Sequence, residues 1–113
     1  MTRSMVEVRG RPTLVSAALR GYTTDRLLRA LGRFSRLVRR VRVFLADVNG
    51  PRRGADKRCR VVLGLADGGE LVLERTAPDA YAAVHEAAHR VRDAVARSAG
   101  RRRASYSGCR RVE

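Results

Sequence analysis

The segment His85-Glu-Ala-Ala-His89 has the residue types and the spacing of a zinc-protease motif. Two histidines four residues apart lie on the same side of a helix, so both could bind Zn²⁺ while Glu86 activates a bound water. A catalytic zinc site needs a third protein ligand, and the chain has no other histidine. The acidic candidates are Asp93, on the same predicted helix, and Glu113, in a basic tail. We therefore expect no metal site and interpret His85 and His89 as facing solvent or RNA.

Other residues that could do chemistry do not form a catalytic set. Cys59 lies between Arg58 and Arg60, which could lower its pKa, but its place in an alternating segment predicts a buried thiol. The glycines of Gly64–Gly69 lack the lysine and the Ser or Thr of a phosphate-binding loop. We expect no enzymatic activity, no cofactor and no small-molecule substrate.

The strongest compositional feature is an excess of arginine. The chain has 25 Lys and Arg against 11 Asp and Glu, a net charge of +14, and Lys57 is its one lysine. A guanidinium group donates two parallel hydrogen bonds to phosphate, so this excess predicts binding to nucleic acid. Aromatic residues are 4% of the chain and Trp is absent, which disfavours recognition of single-stranded bases by stacking.

No apolar run long enough for a membrane span or a signal peptide occurs in the sequence. We expect a cytoplasmic protein that does not bind membranes. In that compartment Cys59 and Cys109 are expected to be unpaired thiols.

Alternation and helical periodicity predict an α+β fold with the order β-α-β-β-β-α. The three consecutive strands should form an antiparallel meander in a four-stranded sheet, with both helices packed on one face. We assign 1–98 to this domain and 99–113 to a basic, flexible C-terminal tail. In chain order the predicted elements are a strand over 5–9, a helix from Ser16 through Arg36, strands around 41–46, 59–65 and 71–73, and a helix from Pro78 to Gly100.

Each predicted helix has one apolar face and one basic face. The apolar residues are Leu19, Tyr22 or Thr23, Leu27, Leu31 and Phe34 in the first helix, and Tyr81, Val84, Ala88, Val91 and Val95 in the second. If the helices lie side by side, their outward residues form one basic surface that would bind structured RNA. The candidate RNA-binding residues are Arg20, Arg26, Arg29, Arg33 and Arg36 in the first helix, and His85, His89, Arg90, Arg92 and Arg97 in the second.

Several short segments, in this order and spacing, resemble the ribosome hibernation-promoting factor and ribosome-associated inhibitor family in its short form. The resemblance covers about residues 5–98, and the run that begins at Asp79 is its most specific part. The segments are the opening strand with Gly10, Ala18-Leu19-Arg20, Asp25-Arg26-Leu27, Arg29-Ala30-Leu31, Gly69-Glu70-Leu71 and Asp79-Ala80-Tyr81-Ala82-Ala83-Val84.

This resemblance implies a protein that binds ribosomal RNA of the small ribosomal subunit near the decoding centre. It would occupy the channel for messenger and transfer RNA and inhibit translation during stress. Gly32 and Asp93 depart from positions that are commonly basic in the family. No segment corresponds to the dimerisation domain of long members, so we expect a monomer on the ribosome. The alternative is a general double-stranded RNA-binding module. The basic family positions are matched by Arg26, Arg29, Arg90 and Arg97, and Arg20 matches a position that is often basic.

Overall fold

The fold is a four-stranded sheet with two helices, in the predicted order. The structure is a computed structural model that describes the backbone of residues 5–48 and 57–112 and the side chains of 5–48 and 57–100. Residues 49–56, whose composition predicts a loop, lie outside the described residues. The elements are β1 (Val6–Arg9), α1 (Ala17–Leu31), a 3₁₀ helix (Gly32–Leu37), β2 (Val38–Asp47), β3 (Lys57–Leu65), β4 (Glu70–Ala77) and α2 (Ala80–Val112).

The strands lie in the sheet in chain order, β1-β2-β3-β4. β2, β3 and β4 form the predicted antiparallel meander. β1 pairs in parallel with β2, with Val8 opposite Val43. A parallel pair needs a crossover connection, which α1 provides.

Alternate residues of the strands form one buried face, and both helices cover it. Val41, Val43, Val61 and Leu63 are fully buried and alternate with more exposed neighbours. On the helix side of the core, α1 contributes leucines. α2 contributes several alanines, whose small side chains let this helix approach the sheet closely. The prediction that both helices pack on one face is confirmed. The buried helix residues include Leu19, Leu27, Leu31, Ala83, Val84, Ala87, Val91 and Val95.

Both helices begin where the sequence predicts, each with a side-chain cap. The Ser16 hydroxyl accepts a hydrogen bond from the Leu19 N–H at 3.1 Å. The Asp79 carboxylate accepts one from the Ala82 N–H at 3.2 Å. Such caps satisfy donors that have no partner within the helix and stabilise it by about 1 kcal/mol each.

The first helix ends earlier than predicted. Gly32 has a φ of 48°, and its N–H donates to the Leu28 carbonyl, which closes α1 at Leu31. This left-handed region is accessible to glycine at little cost. The chain continues as a 3₁₀ helix, so Arg33 and Arg36 do not extend the row of Arg26 and Arg29 along one α-helix, and that part of the prediction is wrong.

The second helix ends later than predicted. α2 continues through Gly100 to Val112, so the prediction that Gly100 ends it is wrong. A glycine inside a helix costs about 1 kcal/mol relative to alanine, which the arginines and alanine that follow it can offset because they favour helix. Tyr81, predicted to lie in the core, is 39% exposed. Whether the residues beyond 98 are flexible stays a prediction.

Gly10 follows β1 at a point where the chain has no room for a side chain. A Cβ there would lie 2.6 Å from Val15 Cγ2 and 2.8 Å from the Leu45 carbonyl oxygen. We expect Gly10→Ala to lower the free energy of unfolding by about 1–3 kcal/mol, because backbone must move. Urea denaturation followed by circular dichroism measures this change.

Gly21, inside α1, is the matched control. A Cβ at this position would contact nothing within 4 Å. Gly21→Ala should therefore raise the free energy of unfolding by about 0.5–1 kcal/mol. Equal stability of the two alanine variants would contradict the close approach at Gly10.

Candidate nucleic-acid interface

The basic faces of the two helices meet at Arg26 and His85. The Arg26 Nη2 lies 2.8 Å from the His85 Nδ1. A guanidinium can only donate, so Nδ1 accepts this hydrogen bond and the neutral ring has its proton on Nε2. The contact fixes the Arg26 side chain at the junction of α1 and α2.

An aromatic pair also joins the helices. The rings of Tyr22 and Tyr81 are 5.0 Å apart, between centroids, at an angle of 60°. Tilted aromatic contacts of this kind favour one relative position of the two helices. This contact was not predicted, because Tyr81 was expected on the buried apolar face of the second helix.

Helix geometry places five basic or histidine side chains around this junction. At 100° per residue, Arg29 lies about 60° from Arg26 on α1, while His89 and Arg92 lie within about 40° of His85 on α2. The His85 and His89 rings are 5.6 Å apart. All except the half-buried Arg26 are exposed. We call this set the two-helix surface: Arg26, Arg29, His85, His89 and Arg92.

Four other predicted RNA-binding residues lie around this surface and not within it. Arg90 and Arg97 are exposed on the flank of α2 that is about 120–140° around the helix from His85. Arg33 and Arg36 are exposed on the 3₁₀ helix, where the Arg33 guanidinium carbon lies 5.0 Å from the Phe34 ring centroid. The basic area is therefore broader and less continuous than the predicted single row.

Arg20 lies on a different side of the molecule from the two-helix surface. Its Nη1 donates to the Val8 carbonyl oxygen at 2.6 Å, so the side chain is directed to β1. Around α1 it lies about 180° from Arg29. The prediction that Arg20 shares one surface with the other arginines is therefore wrong, because this backbone contact holds it on the opposite side.

Arg26 has an unsatisfied donor at the centre of the two-helix surface. Its Nε has almost no exposed surface and no hydrogen-bond partner among the residues that the structure describes. Buried donors in native proteins almost always have a partner, and leaving one without a partner costs free energy. An oxygen from outside the protein would reach this N–H only after the Arg26 side chain had moved to expose it.

The remaining chemical candidates do not form a site. In the part of the chain that the structure describes, no third histidine, cysteine or carboxylate joins His85 and His89 to make a metal-ligand group. Cys59 is buried in the core and forms no disulfide with any residue whose side chain the structure describes. Burial raises the pKa of its thiol to about 12. None of the described helices is long and apolar enough to cross a membrane.

Comparison with known proteins gives one family and a consistent fold. The family described as Sigma 54 modulation protein / S30EA ribosomal protein matches residues 6–103. The N-terminal domain of Thermus thermophilus Protein Y is 23% identical with a TM-score of 0.62, over 81% of this chain and 92% of that one. A ribosomal subunit interface protein from Coxiella burnetii is 15% identical with a TM-score of 0.68, over 84% of this chain and 97% of that one. No curated protein sequence matches significantly.

Proposed function

Because the chain belongs to the Sigma 54 modulation protein / S30EA ribosomal protein family, we propose that it binds ribosomes and keeps them translationally inactive. The finer proposal is that it binds ribosomal RNA of the small subunit near the decoding centre. There it would occupy the channel that messenger and transfer RNA need. Ribosome binding would also place it in the cytoplasm, and a monomer suffices for this role.

The observation that carries this proposal is the junction at Arg26. The Arg26 guanidinium of α1 is held at α2 by His85 at 2.8 Å, and its buried Nε–H has no partner among the described residues. Arg29 lies on the neighbouring turn of α1 and Arg92 lies on the His85 side of α2, so both helices contribute donors to this surface. Such a surface would bind the closely spaced phosphates of a folded RNA.

The mechanism that follows is steric and electrostatic. Contacts to phosphate position a protein on RNA but carry no base sequence directly, so recognition would depend on the shape of the RNA backbone. The protein would inhibit translation by excluding messenger and transfer RNA from the space it fills. No bond is made or broken, and the proposed function requires no cofactor.

Co-sedimentation with purified ribosomes tests the proposal. We expect the protein to sediment with small subunits and whole ribosomes at low salt and to inhibit translation in vitro. The affinity should fall steeply with salt, with a log-log slope of about 0.7–0.9 per phosphate neutralised. A protein that stays in the supernatant at low salt would contradict the proposal.

A competition experiment separates the ribosome from RNA in general. An unlabelled RNA duplex should displace little protein from small subunits when it is added at the same molar concentration of binding sites as the subunits. Displacement as efficient as that by unlabelled small subunits would favour the alternative, a general double-stranded RNA-binding module.

A further inference from the structure

A second basic surface lies along the β1 edge of the sheet, away from α2. It is an open groove of about 1450 Å³ along β1. Ala17, Arg20, Gly21 and Thr24 form its helical wall, and the start of β2 and the turn after β3 complete it. We call this the β1 groove. Its charged residues are Glu7, Arg9, Arg20, Arg39, Arg40, Arg42 and Glu70. The strand register places Glu7 and Arg42 on the sheet face opposite the helices, whereas Arg20 lies on α1.

An irregularity in β2 places two consecutive arginines on the surface. Val38 is paired with Leu65 and Arg40 with Gly64, so the register shifts by one residue between them. Both Arg39 and Arg40 are exposed, whereas Val38 is buried. Such bulges redirect side chains, and here the shift keeps the valine inside while both guanidinium groups face solvent. Gly64 opposite Arg40 has no side chain to cover it.

The groove carries more positive charge than its own carboxylates neutralise. Five arginines face two glutamates, a net charge of +3. The Glu7 carboxylate accepts a hydrogen bond from Arg9 at 2.7 Å, and Arg42 pairs with Glu70 at 3.3 Å. Arg9, with further attraction from Arg40 and Arg42, lowers the pKa of Glu7. The guanidinium groups of Arg9, Arg40 and Arg42 therefore already attract one anionic group, the Glu7 carboxylate.

The ion pairs inside the groove are weak enough to be replaced. The side chains of Glu7 and Glu70 are about half exposed, 46% and 55%. Exposed ion pairs contribute little to stability because water screens both charges, so a phosphate that accepts hydrogen bonds from two guanidinium groups can compete with them. None of the described residues that line the groove is aromatic, which favours phosphate over a stacked base as its ligand.

From this geometry we propose that the β1 groove binds a second segment of RNA phosphodiester backbone, so that the protein holds RNA at the β1 edge of the sheet as well as on its two helices. The proposal rests on the proposed function, because it adds a second contact to a protein that already binds ribosomal RNA. Arg39 and Arg40 would donate to the phosphates, and Arg20, held by the Val8 carbonyl, would line the helical wall. Glu7 would compete with the bound phosphate.

Removing the two bulge arginines tests the groove on small ribosomal subunits. We expect the Arg39→Ser/Arg40→Ser variant to bind about tenfold more weakly than wild type near 150 mM KCl, and its salt slope to fall by about 1–2. The matched control is Arg11→Ser/Arg60→Ser, which removes the same charge outside the groove and should bind within about twofold of wild type. Equal binding by both double variants would overturn the inference while leaving ribosome binding intact.

Glu7→Gln tests the same groove by strengthening RNA binding, whereas the arginine substitutions weaken it. The substitution removes an exposed carboxylate that faces the arginines, so we expect about two- to fivefold tighter binding and a steeper salt slope. A variant with merely altered folding would not bind more tightly. Unchanged or weaker binding by Glu7→Gln, with native circular dichroism, would contradict the proposed competition between Glu7 and phosphate.

A bridging assay works without the ribosome. Two RNA hairpins, one with a donor dye and one with an acceptor dye, are mixed with protein at low salt. Wild type should bring them together and give energy transfer, whereas Arg39→Ser/Arg40→Ser should bind one hairpin and give none. Energy transfer from that variant equal to wild type would overturn the inference. If wild type bridges hairpins but does not bind small subunits, the proposed function fails and the groove remains supported.

Discussion

Reversing the charge of Arg26, Arg29, Arg90 and Arg97 together, each to Glu, is expected to abolish ribosome binding and translational inhibition. Each arginine that neutralises a phosphate contributes about fivefold in affinity near 150 mM salt, so four contacts account for a loss of about six-hundredfold. Repulsion by the new carboxylates adds to it. Arg90 and Arg97 lie on the exposed flank of α2, and Arg26 and Arg29 lie on the side of α1 that meets α2. Sedimentation with small subunits and an in vitro translation assay measure both effects.

The fold should survive these four substitutions, since Arg29, Arg90 and Arg97 are exposed and Arg26 is outside the hydrophobic core. The matched comparison is between Arg26→Glu/Arg29→Glu and Arg11→Glu/Arg60→Glu, which change the net charge equally. The first pair should weaken binding by more than about 25-fold and the second by a small factor. A folded quadruple variant that inhibits translation normally would show that these arginines are not the site.

Truncating Leu27 is expected to have the largest effect on stability. This residue is fully buried in α1 beneath the two-helix surface. Leu27→Ala should lower the free energy of unfolding by about 2–5 kcal/mol, from the lost burial and the cavity left behind. This loss is a large part of the whole free energy of unfolding of a small domain, which is about 5–15 kcal/mol. Urea denaturation followed by circular dichroism gives the value.

Val72 offers a control for the loss of apolar volume alone. Its side chain is 52% exposed on the sheet face that has no helix. Val72→Ala should change the free energy of unfolding by less than about 0.5 kcal/mol. A Leu27→Ala variant as stable as Val72→Ala would mean that α1 does not pack on the sheet as described.

Most of the fold follows from local patterns in the chain. Alternation in β2 and β3 identifies the buried face, and Ser16 and Asp79 identify both helix starts, because those signals act over a few residues. The helix ends were predicted less well, and both errors involve glycine. Gly32 has a positive φ and ends a helix, whereas Gly100 lies inside one. Glycine permits both conformations, so its presence alone does not decide between them.

The candidate site was predictable by residue type but not by arrangement. Charge identified the arginines, yet the contact of Arg26 with His85 joins residues 59 positions apart and depends on how the helices pack. Arg20 was grouped with the wrong surface because periodicity does not show which strand its side chain contacts. The pattern Val38-Arg39-Arg40-Val41 did contain a signal: two polar residues between inward valines indicate a bulge.

Because β1 is short, its attachment to the sheet and the binding of RNA in the groove are expected to be linked. Only four residues, Val6–Arg9, attach this edge strand to the sheet, and β2 is its single neighbour there. Small edge elements detach at a lower free-energy cost than the whole domain unfolds. The Arg20 contact and the part of the groove that β1 lines exist only while β1 is attached. A phosphate held there would therefore stabilise the attached form, and the amide protons of β1 would exchange with solvent more slowly on the ribosome than in the free protein.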